Sequence, residues 1–334
     1  MLVHLKMSKL QVSWDHLHKD KNIYEYFFHG IRFSSEIDLE VTQSQSGALP
    51  LFHCRIRKIE DPRPFKSSPI WESELLLDNG EPQARMYRES GILFMDLPRV
   101  GGFGFVEKGI DVYRNGPVSM SSYFFGRALS LWLELRNVLV LHGSCFTHCQ
   151  SGYALLGYTG AGKSTLGAYL ASRGNALIAE DVCPLHLHRD VRIFRGLPQV
   201  RLWADSGKAI MDEFEQYPTI HSYTEKRKID FSRQHSFFSP LASVPLKGIF
   251  VLVRKKEKGV LPDIRLMAPA ESLVELVRQS FGAGPVHALG LHAKRLSELA
   301  KLVERAPVFQ LTYNSGYDML PSVRQTLLNH IERL

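Results

Sequence analysis

The sequence predicts an α/β protein with two parts: a β-rich N-terminal domain over residues 1–118, and a core over residues 119–334 in which strands and helices alternate. Two observations support this prediction. Short extended runs separated by turn residues fill the first part. In the second part, a glycine-rich octapeptide at 157–164 lies between a predicted strand and a predicted helix, an arrangement typical of phosphate-binding loops.

The extended runs of the N-terminal region begin with Asn22–Phe28 and Ile31–Val41, and the region ends at an Asn115-Gly116 turn. From Ser119 to about Val138, apolar residues recur every three or four positions, which predicts a helix. We therefore place the domain boundary near residue 118.

The core alternates between strands and helices. Its predicted strands are Val138–Leu141, Tyr153–Leu156, Ala176–Ala179, Val182–His188, Val191–Phe194, Gly248–Val253, Asp263–Met267 and Val308–Tyr313. Its predicted helices are 163–172, Ala204–Glu215, Ala270–Ser280, Ala288–Glu304 and Ser322–Arg333. The interval Tyr217–Pro245 is predicted to be a long loop. Either it binds or covers a substrate, or it is poorly ordered.

Composition excludes several classes of protein. Of 334 residues, 44% are hydrophobic and 22% charged, which is ordinary for a globular protein with a sizeable core. The net charge of +7 is spread along the chain, and neither Lys226-Arg227-Lys228 nor Arg254-Lys255-Lys256 is long enough to predict a nucleic-acid patch. No apolar run approaches the roughly 18 residues that cross a bilayer, no signal peptide is evident, and four cysteines form no disulfide framework. We expect a cytoplasmic protein that binds neither nucleic acid nor membrane.

The octapeptide that starts at Gly157 matches the phosphate-binding loop pattern G-x-x-x-x-G-K-[ST]. Its glycines allow backbone N–H groups to surround the phosphates of a nucleotide. Lys163 is expected to reach the β- and γ-phosphates, and the Ser164 hydroxyl to bind Mg²⁺. The candidate nucleotide-binding residues are Gly157, Tyr158, Thr159, Gly160, Ala161, Gly162, Lys163, Ser164 and Thr165.

Two adjacent acids follow the predicted P-loop helix after one short strand. Glu180 and Asp181 lie 17 and 18 residues after Lys163 (180 − 163 and 181 − 163), at the C-terminal end of a strand, where the ligands of α/β sheets collect. A carboxylate there can hold Mg²⁺ or accept the proton of an attacking hydroxyl; the sequence leaves open which acid binds the metal. In ABC-type and motor ATPases the corresponding acid comes much later, so this spacing argues against those classes.

Three segments together resemble the catalytic domain of HPr kinase/phosphorylase and its relatives: His142-Gly143-Ser144, the loop at 157–164, and the run from Arg173 to Asp181. His142 precedes Lys163 by 21 residues, as in that family. In addition, the run from Gly30 to Leu39 is similar to an element of the HPr-kinase-like proteins of bacterial peptide-tailoring clusters, including lasso-peptide kinases.

The resemblance implies a PEP-carboxykinase-like P-loop fold and a serine kinase that uses ATP or GTP with Mg²⁺; it also allows a homo-oligomer. On the matching positions, Lys163 would bind phosphate and Ser164 the metal. Asp181 would accept the proton, with His142 beside it. Glu180 stands where the family usually has a second Asp, and it is a candidate metal ligand together with Asp181.

The chain departs from the family at a later motif, E-x-R-G. It has Ile193-Phe194-Arg195-Gly196 there, so Ile193 replaces a metal-binding Glu. This change puts the second metal contact, and with it a reverse phosphorylase activity, in question. Arg227 is the counterpart of the family's catalytic arginine.

Without the resemblance, His142 would be better explained as a core histidine at a strand end. The run from His142 through Cys145 and His148 to Cys149 does not predict a zinc site. Alternate residues of a strand face opposite sides, and no second C-x-x-C pair is present.

The sequence as a whole predicts an ATP- and Mg²⁺-dependent kinase that phosphorylates a serine hydroxyl on a peptide or protein, with a ribosomal precursor peptide such as a lasso peptide as one acceptor. Two alternatives stay open. A small-molecule kinase of the shikimate or gluconate type also places an acid one strand after the P-loop helix, although such enzymes usually lack a long N-terminal region. A non-catalytic nucleotide sensor would explain Ile193.

Overall fold

The computed structural model describes residues 23–43, 48–114, 119–220, 225–232, 234, 236–256, 259 and 261–334. Within these ranges the chain is a mixed α/β protein with two large sheets and one two-stranded sheet, in agreement with the predicted fold class. The predicted Asn115-Gly116 turn and the boundary near residue 118 lie outside the described residues. No helix in the described ranges is long and apolar enough to cross a membrane.

The strands of the N-terminal sheet are β1 (Tyr24–Phe28), β2 (Ile31–Ser35), β3 (Phe52–Lys58), β4 (Trp71–Glu72), β5 (Arg85–Glu89), β6 (Ile92–Leu97), β7 (Gly101–Val106) and β8 (Gly109–Arg114). Their order is β1-β2-β3-β8-β7-β6-β5-β4. The β2–β3 and β3–β8 pairs are parallel, and the other neighbours are antiparallel. The predicted strand from Ile31 to Val41 ends early because the Ser35 hydroxyl turns the chain, accepting from the Ile37 N–H and donating to the Ile37 carbonyl.

A helical segment packs on this sheet. It consists of α1 (Ser121–Tyr123), a π-helical stretch (Phe124–Ala128) and α2 (Leu129–Glu134), where the sequence predicts one helix from Ser119 to Val138. The fully buried Trp132 donates its indole N–H to the Gly109 carbonyl at 3.1 Å. The hydrophobic core here therefore includes side chains from both sides of residue 118.

The remaining strands are β9 (Leu139–His148), β10 (Ser151–Leu156), β11 (Leu177–Leu187), β12 (Val191–Phe194), β13 (Gln199–Leu202), β14 (Arg227–Asp230), β15 (Ser243–Lys255), β16 (Asp263–Leu266) and β17 (Val308–Asn314). β13 and β14 form the two-stranded sheet, and the others form the sheet β10-β9-β11-β12-β15-β17-β16. A parallel pairing of β10 with β15 closes five of these strands into a ring. Successive residues of β10 contribute to two different hydrophobic clusters, so both faces of this strand are buried.

The helices of this part are α3 (Lys163–Ser172), α4 (Ala204–Ile210), α5 (Pro269–Arg278), α6 (Ala283–Ala288), α7 (His292–Arg305) and α8 (Leu320–Ile331). The predicted helix over Ala288–Glu304 corresponds to α7 and begins only at His292, because Gly290 takes a φ of 70° between α6 and α7. The predicted loop Tyr217–Pro245 contains β14 and the start of β15; residues 221–224, 233 and 235 of this interval lie outside the described residues.

Gly167 allows α3 to pack closely on β9. A Cβ at this position would lie 2.3 Å from the Ser144 hydroxyl oxygen. We expect Gly167→Ala to lower the free energy of unfolding by about 1–3 kcal/mol through overpacking, although alanine ordinarily stabilises a helix relative to glycine. Urea unfolding measures the change. The control is Gly126→Ala, whose methyl would meet its nearest neighbour, Phe281, at 4.0 Å. Equal destabilisation of the two variants would contradict the packing explanation.

Candidate active site

The glycine-rich loop runs directly from β10 into α3, and the predicted strand and helix on its two sides are both confirmed. Gly157 has a φ of 145° and Gly162 a φ of 98°, values that favour glycine. A Cβ on Gly157 would lie 3.1 Å from the Leu252 carbonyl oxygen, and one on Gly162 would lie 2.9 Å from the Tyr313 hydroxyl. A side chain at either position would therefore push the loop away from β15 and β17.

Three side chains hold carbonyl oxygens of this loop. The Lys163 ammonium donates to the Gly157 carbonyl at 2.6 Å. Arg254 and Tyr313 donate to two further loop carbonyls, at 2.9 and 3.0 Å. With its carbonyls bound in this way, the loop can direct N–H groups at the start of α3 toward an anion. The sequence contains no local pattern that marks Arg254 or Tyr313 for this role.

The two acids lie on β11, which pairs with β9. Glu180 is opposite Ser144, and Asp181 is opposite Gly143. Successive side chains of a regular strand point to opposite faces, but Asp181 has a φ of 68° and both acids line one cleft. The sequence predicts two strands separated at these acids, whereas the structure has one strand with a strained residue there. This left-handed residue interrupts the alternation and allows both carboxylates to face the cleft.

Asp181 is held by an imidazole and a guanidinium, those of His142 and Arg201. His142 Nδ1 lies 3.2 Å from Asp181 Oδ1 and 3.1 Å from its carbonyl oxygen, and the Arg201 guanidinium lies 3.4 Å from Oδ2. Burial by itself raises the pKa of Asp181, but the hydrogen bond from His142 and the charge of Arg201 outweigh burial and hold this pKa below its ordinary value. Asp181 is therefore a carboxylate at neutral pH.

Glu180 differs from its neighbour in its protonation. Its carboxylate accepts hydrogen bonds from the hydroxyls of Ser144 and Ser164. Burial nevertheless raises the pKa of Glu180 to about 7, against the effect of these two bonds. Glu180 therefore exchanges its proton near neutral pH, whereas Asp181 stays ionised.

The side chains of Ser164, Glu180 and Asp181 suit a Mg²⁺ ion that is also bound to phosphate. Mg²⁺ in proteins is typically held by one or two carboxylates together with phosphate oxygens and water. In the described part of the chain, no group of three His, Cys, Asp or Glu side chains could hold a metal alone. Ile193 is fully buried in the hydrophobic core and supplies no ligand.

The cleft has a volume of about 390 Å³, and three cationic side chains, Arg201, Lys226 and Arg254, line it beside the loop. Trp203, which is 57% exposed, also lines it, and the Lys226 ammonium lies 5.5 Å from the centroid of its ring. These positive groups make the cleft complementary to an anionic ligand.

The N-terminal sheet contributes one wall of the cleft. His29, in the turn between β1 and β2, lines the cleft although it is 3% exposed. Its backbone N–H donates to the Arg195 carbonyl at 2.6 Å, and a Cβ on Gly196 would lie 2.6 Å from its ring. Burial, and secondarily His186, lowers the pKa of His29 to about 3, so the imidazole is neutral.

Arg227 lies away from the acids. Its guanidinium donates to the Tyr217 carbonyl and lies 6.0 Å from the centroid of the Phe214 ring. The arginine that contacts Asp181 is Arg201 on β13. Adjacent residues of an extended chain face opposite sides, which explains why Lys226 lines the cleft and Arg227 does not. Of the predicted catalytic and metal-binding residues, the structure brings together His142, Lys163, Ser164, Glu180 and Asp181.

The His-Cys run on β9 does not converge on one point. Cys145 is buried, whereas Cys149 is exposed. His142 contacts Asp181, and His148 lies 3.1 Å from the Asn175 side-chain nitrogen. The two histidines of this run therefore contact different partners.

Similarity to known proteins is found at the level of three-dimensional structure. The sequence matches no protein-family model and no curated protein. The chain is similar to a structure described as the Hpr(Ser) kinase/phosphatase from Coxiella burnetii, over 58% of this chain and 97% of that chain. The sequence identity is 12% and the TM-score 0.34. A likeness at this level identifies no family, and the function has to be inferred from the site itself.

Proposed function

We propose that this protein is an ATP- or GTP-dependent kinase that uses Mg²⁺ to phosphorylate a serine on a peptide or protein. One observation supports this most strongly: Asp181, kept ionised by His142 and Arg201, lines the same cleft as the phosphate-binding loop. Transfer of a phosphoryl group to a hydroxyl requires a nucleotide site and a proton acceptor next to each other.

In the proposed reaction, the acceptor hydroxyl oxygen attacks the γ-phosphorus and its proton passes to Asp181. A bond forms between that oxygen and the γ-phosphorus, and the bond from the γ-phosphorus to the bridging oxygen breaks. The nucleoside diphosphate leaves with the electron pair. His142 and Arg201 orient Asp181 through the contacts on its two carboxylate oxygens.

The Lys163 ammonium and a bound Mg²⁺ would stabilise the charge that develops on the transferred phosphoryl group. Burial lowers the pKa of Lys163, and the carboxylates of Glu180 and Asp181 oppose this shift. An ammonium partly withdrawn from water interacts more strongly with phosphate oxygens than an exposed one does. Mg²⁺, when bound, neutralises further phosphate charge; Ser164 and Glu180, and secondarily Asp181, would hold it.

The choice of acceptor rests on the resemblance to HPr-kinase-like proteins. The match of Gly30 to Leu39 to the kinases of peptide-tailoring clusters makes a ribosomal precursor peptide, such as a lasso peptide, the narrower proposal. The exposed Trp203 beside the cleft offers an apolar surface for such a peptide.

The test is a transfer assay with purified protein, γ-labelled ATP or GTP, Mg²⁺, and an acceptor panel of serine peptides, the same peptides with alanine in place of serine, and HPr. We expect label on a serine peptide or on HPr, and none on the alanine peptides. Label on a small hydroxyl compound in place of these would indicate the small-molecule kinase. Tight nucleotide binding without transfer would indicate the sensor, which the buried Ile193 favours.

The pKa of Glu180 predicts a pH-dependent Mg²⁺ requirement. Below pH 7 a proton competes with the metal for this carboxylate, so lowering the pH from 8 to 6 should raise the apparent Kd for Mg²⁺ about tenfold. Calorimetric titration of the nucleotide-saturated protein measures it. Glu180→Gln keeps an acceptor for Ser144 and Ser164 but cannot titrate. The variant therefore shows how the nucleotide alone makes the Kd for Mg²⁺ depend on pH. An equal change of this Kd with pH in the variant and the wild type would contradict the assignment of Glu180 as a titrating metal ligand.

A further inference from the structure

A second cavity, of about 240 Å³, lies between the N-terminal sheet and α6. Phe281 separates it from the candidate active site: its ring lines the cavity and also contacts His142, with ring centroids 5.8 Å apart. None of the acids or loop residues that line the cleft lines this cavity. It is therefore a distinct space.

Arg127 gives this cavity its charge. It belongs to the π-helical stretch, whose Phe125 lines the cleft while Arg127 lines the cavity. The guanidinium is half-buried, and none of the described residues forms a hydrogen bond or ion pair with it. Burial lowers the pKa of Arg127, with a small opposing effect of Tyr123. A charge withdrawn from water is normally paired, so this cation calls for an anion that none of the described residues supplies.

Among the described residues, the acid that lines the cavity is Glu134, and it is already neutralised. Glu134 lies 2.7 Å from Arg295, and the side chains of both residues are buried. Glu134 also accepts the Val140 N–H at 3.3 Å. The Glu134–Arg295 pair therefore carries no net charge, and the described lining of the cavity keeps the positive charge of Arg127.

The rest of the lining is mostly apolar. Trp71, Met95, Leu131 and Val286 contribute to it. The Trp71 indole N–H has no hydrogen-bond partner among the described residues, so it is available as a second donor. π-Helical turns are frequent at functional sites because the inserted residue redirects its neighbours.

We propose that this cavity binds a small organic monocarboxylate, whose carboxylate pairs with Arg127 and whose apolar body packs on Trp71 and Leu131. An arginine fork matches a carboxylate with two parallel hydrogen bonds. The volume of about 240 Å³ is below the roughly 300–1,000 Å³ of pockets for drug-sized ligands. The ligand is therefore the size of a one-ring aromatic acid or a short-chain fatty acid. This site does not depend on the kinase activity.

The test titrates the full-length protein with benzoate, 3-phenylpropanoate and hexanoate, and with the corresponding neutral amides, by calorimetry. We expect at least one acid to bind about tenfold or more tightly than its amide, because the amide offers the guanidinium one neutral acceptor oxygen in place of two charged ones. Arg127→Met should remove this preference. Arg189→Met, a change at an exposed arginine between β11 and β12, should retain it.

Ser73→Phe provides a second check, since it would fill the cavity from a partly exposed position on its wall and leave Arg127 in place. It should weaken binding of acid and amide alike. Thermal unfolding of each variant establishes that it is folded. The proposal is overturned if none of the acids binds the wild-type chain, if acid and amide bind equally, or if folded Arg127→Met keeps the preference.

Discussion

Asp181→Asn is expected to reduce phosphoryl transfer by about 10²–10⁴-fold, the usual contribution of a general base, while nucleotide binding is retained. Asparagine has the same shape but cannot accept the hydroxyl proton. It also tolerates the left-handed backbone that this position requires, and its side-chain oxygen can still face His142. The variant therefore removes the proton acceptor with little effect on the fold.

The measurement compares turnover, from labelled phosphate on the acceptor, with the nucleotide Kd from calorimetry. Asp190→Asn is the matched control, because Asp190 is an exposed aspartate just after β11 that pairs with Arg192. It should stay within about threefold of the wild type, as surface changes usually do. Equal turnover of the two variants would refute the role of Asp181 as base. Loss of nucleotide binding in Asp181→Asn would reassign this residue to the metal.

Lys163→Ala should lower kcat/KM by about 10²–10³-fold, the typical loss when one charge-stabilising donor is removed from an active site. Lys163 is the charged residue of the loop and is only 7% exposed. Arg254, which also contacts the loop, is already bound to the Gly160 carbonyl and to Ser315. Part of the loss should appear as weaker nucleotide binding, since the same ammonium would contact the phosphates before transfer.

The control for this variant is Lys208→Ala, at an exposed lysine on α4 that pairs with Glu215 at 2.6 Å. This control should change kcat/KM little, because an exposed ion pair such as Lys208–Glu215 contributes little. In a nucleotide sensor, Lys163→Ala would weaken binding but there would be no turnover to lose. Transfer activity that persists unchanged in Lys163→Ala would show that the phosphate-binding loop is not where the reaction occurs.

The loop and its two flanking elements could be predicted because everything that defines them is local. Eight consecutive residues specify the phosphate-binding backbone, and the strand and helix on either side have clear apolar patterns. The contact between His142 and Asp181 was accessible only through the family resemblance, because 39 residues separate these two positions.

Other parts of the site depend on contacts that no local pattern records. Arg201, Arg254 and Tyr313 reach the acids or the loop across sequence separations of 20, 94 and 152 residues. The left-handed backbone of Asp181 is equally hidden, since a non-glycine residue adopts it only when surrounding structure imposes it. The placement of Arg201 rather than Arg227 beside Asp181 depends on which face of a two-stranded sheet meets the cleft.

The turn that carries His29 links the shape of the N-terminal sheet to the shape of the cleft. Because the turn joins two strands of an eight-stranded sheet and also walls the candidate active site, a force that bends that sheet would reshape the cleft without any ligand entering it. For the same reason, an N-terminal region exchanged for that of another protein would need a turn of matching length and a side chain that fits against Gly196. We therefore expect the effects of substitutions at His29 and Gly196 to depend on one another.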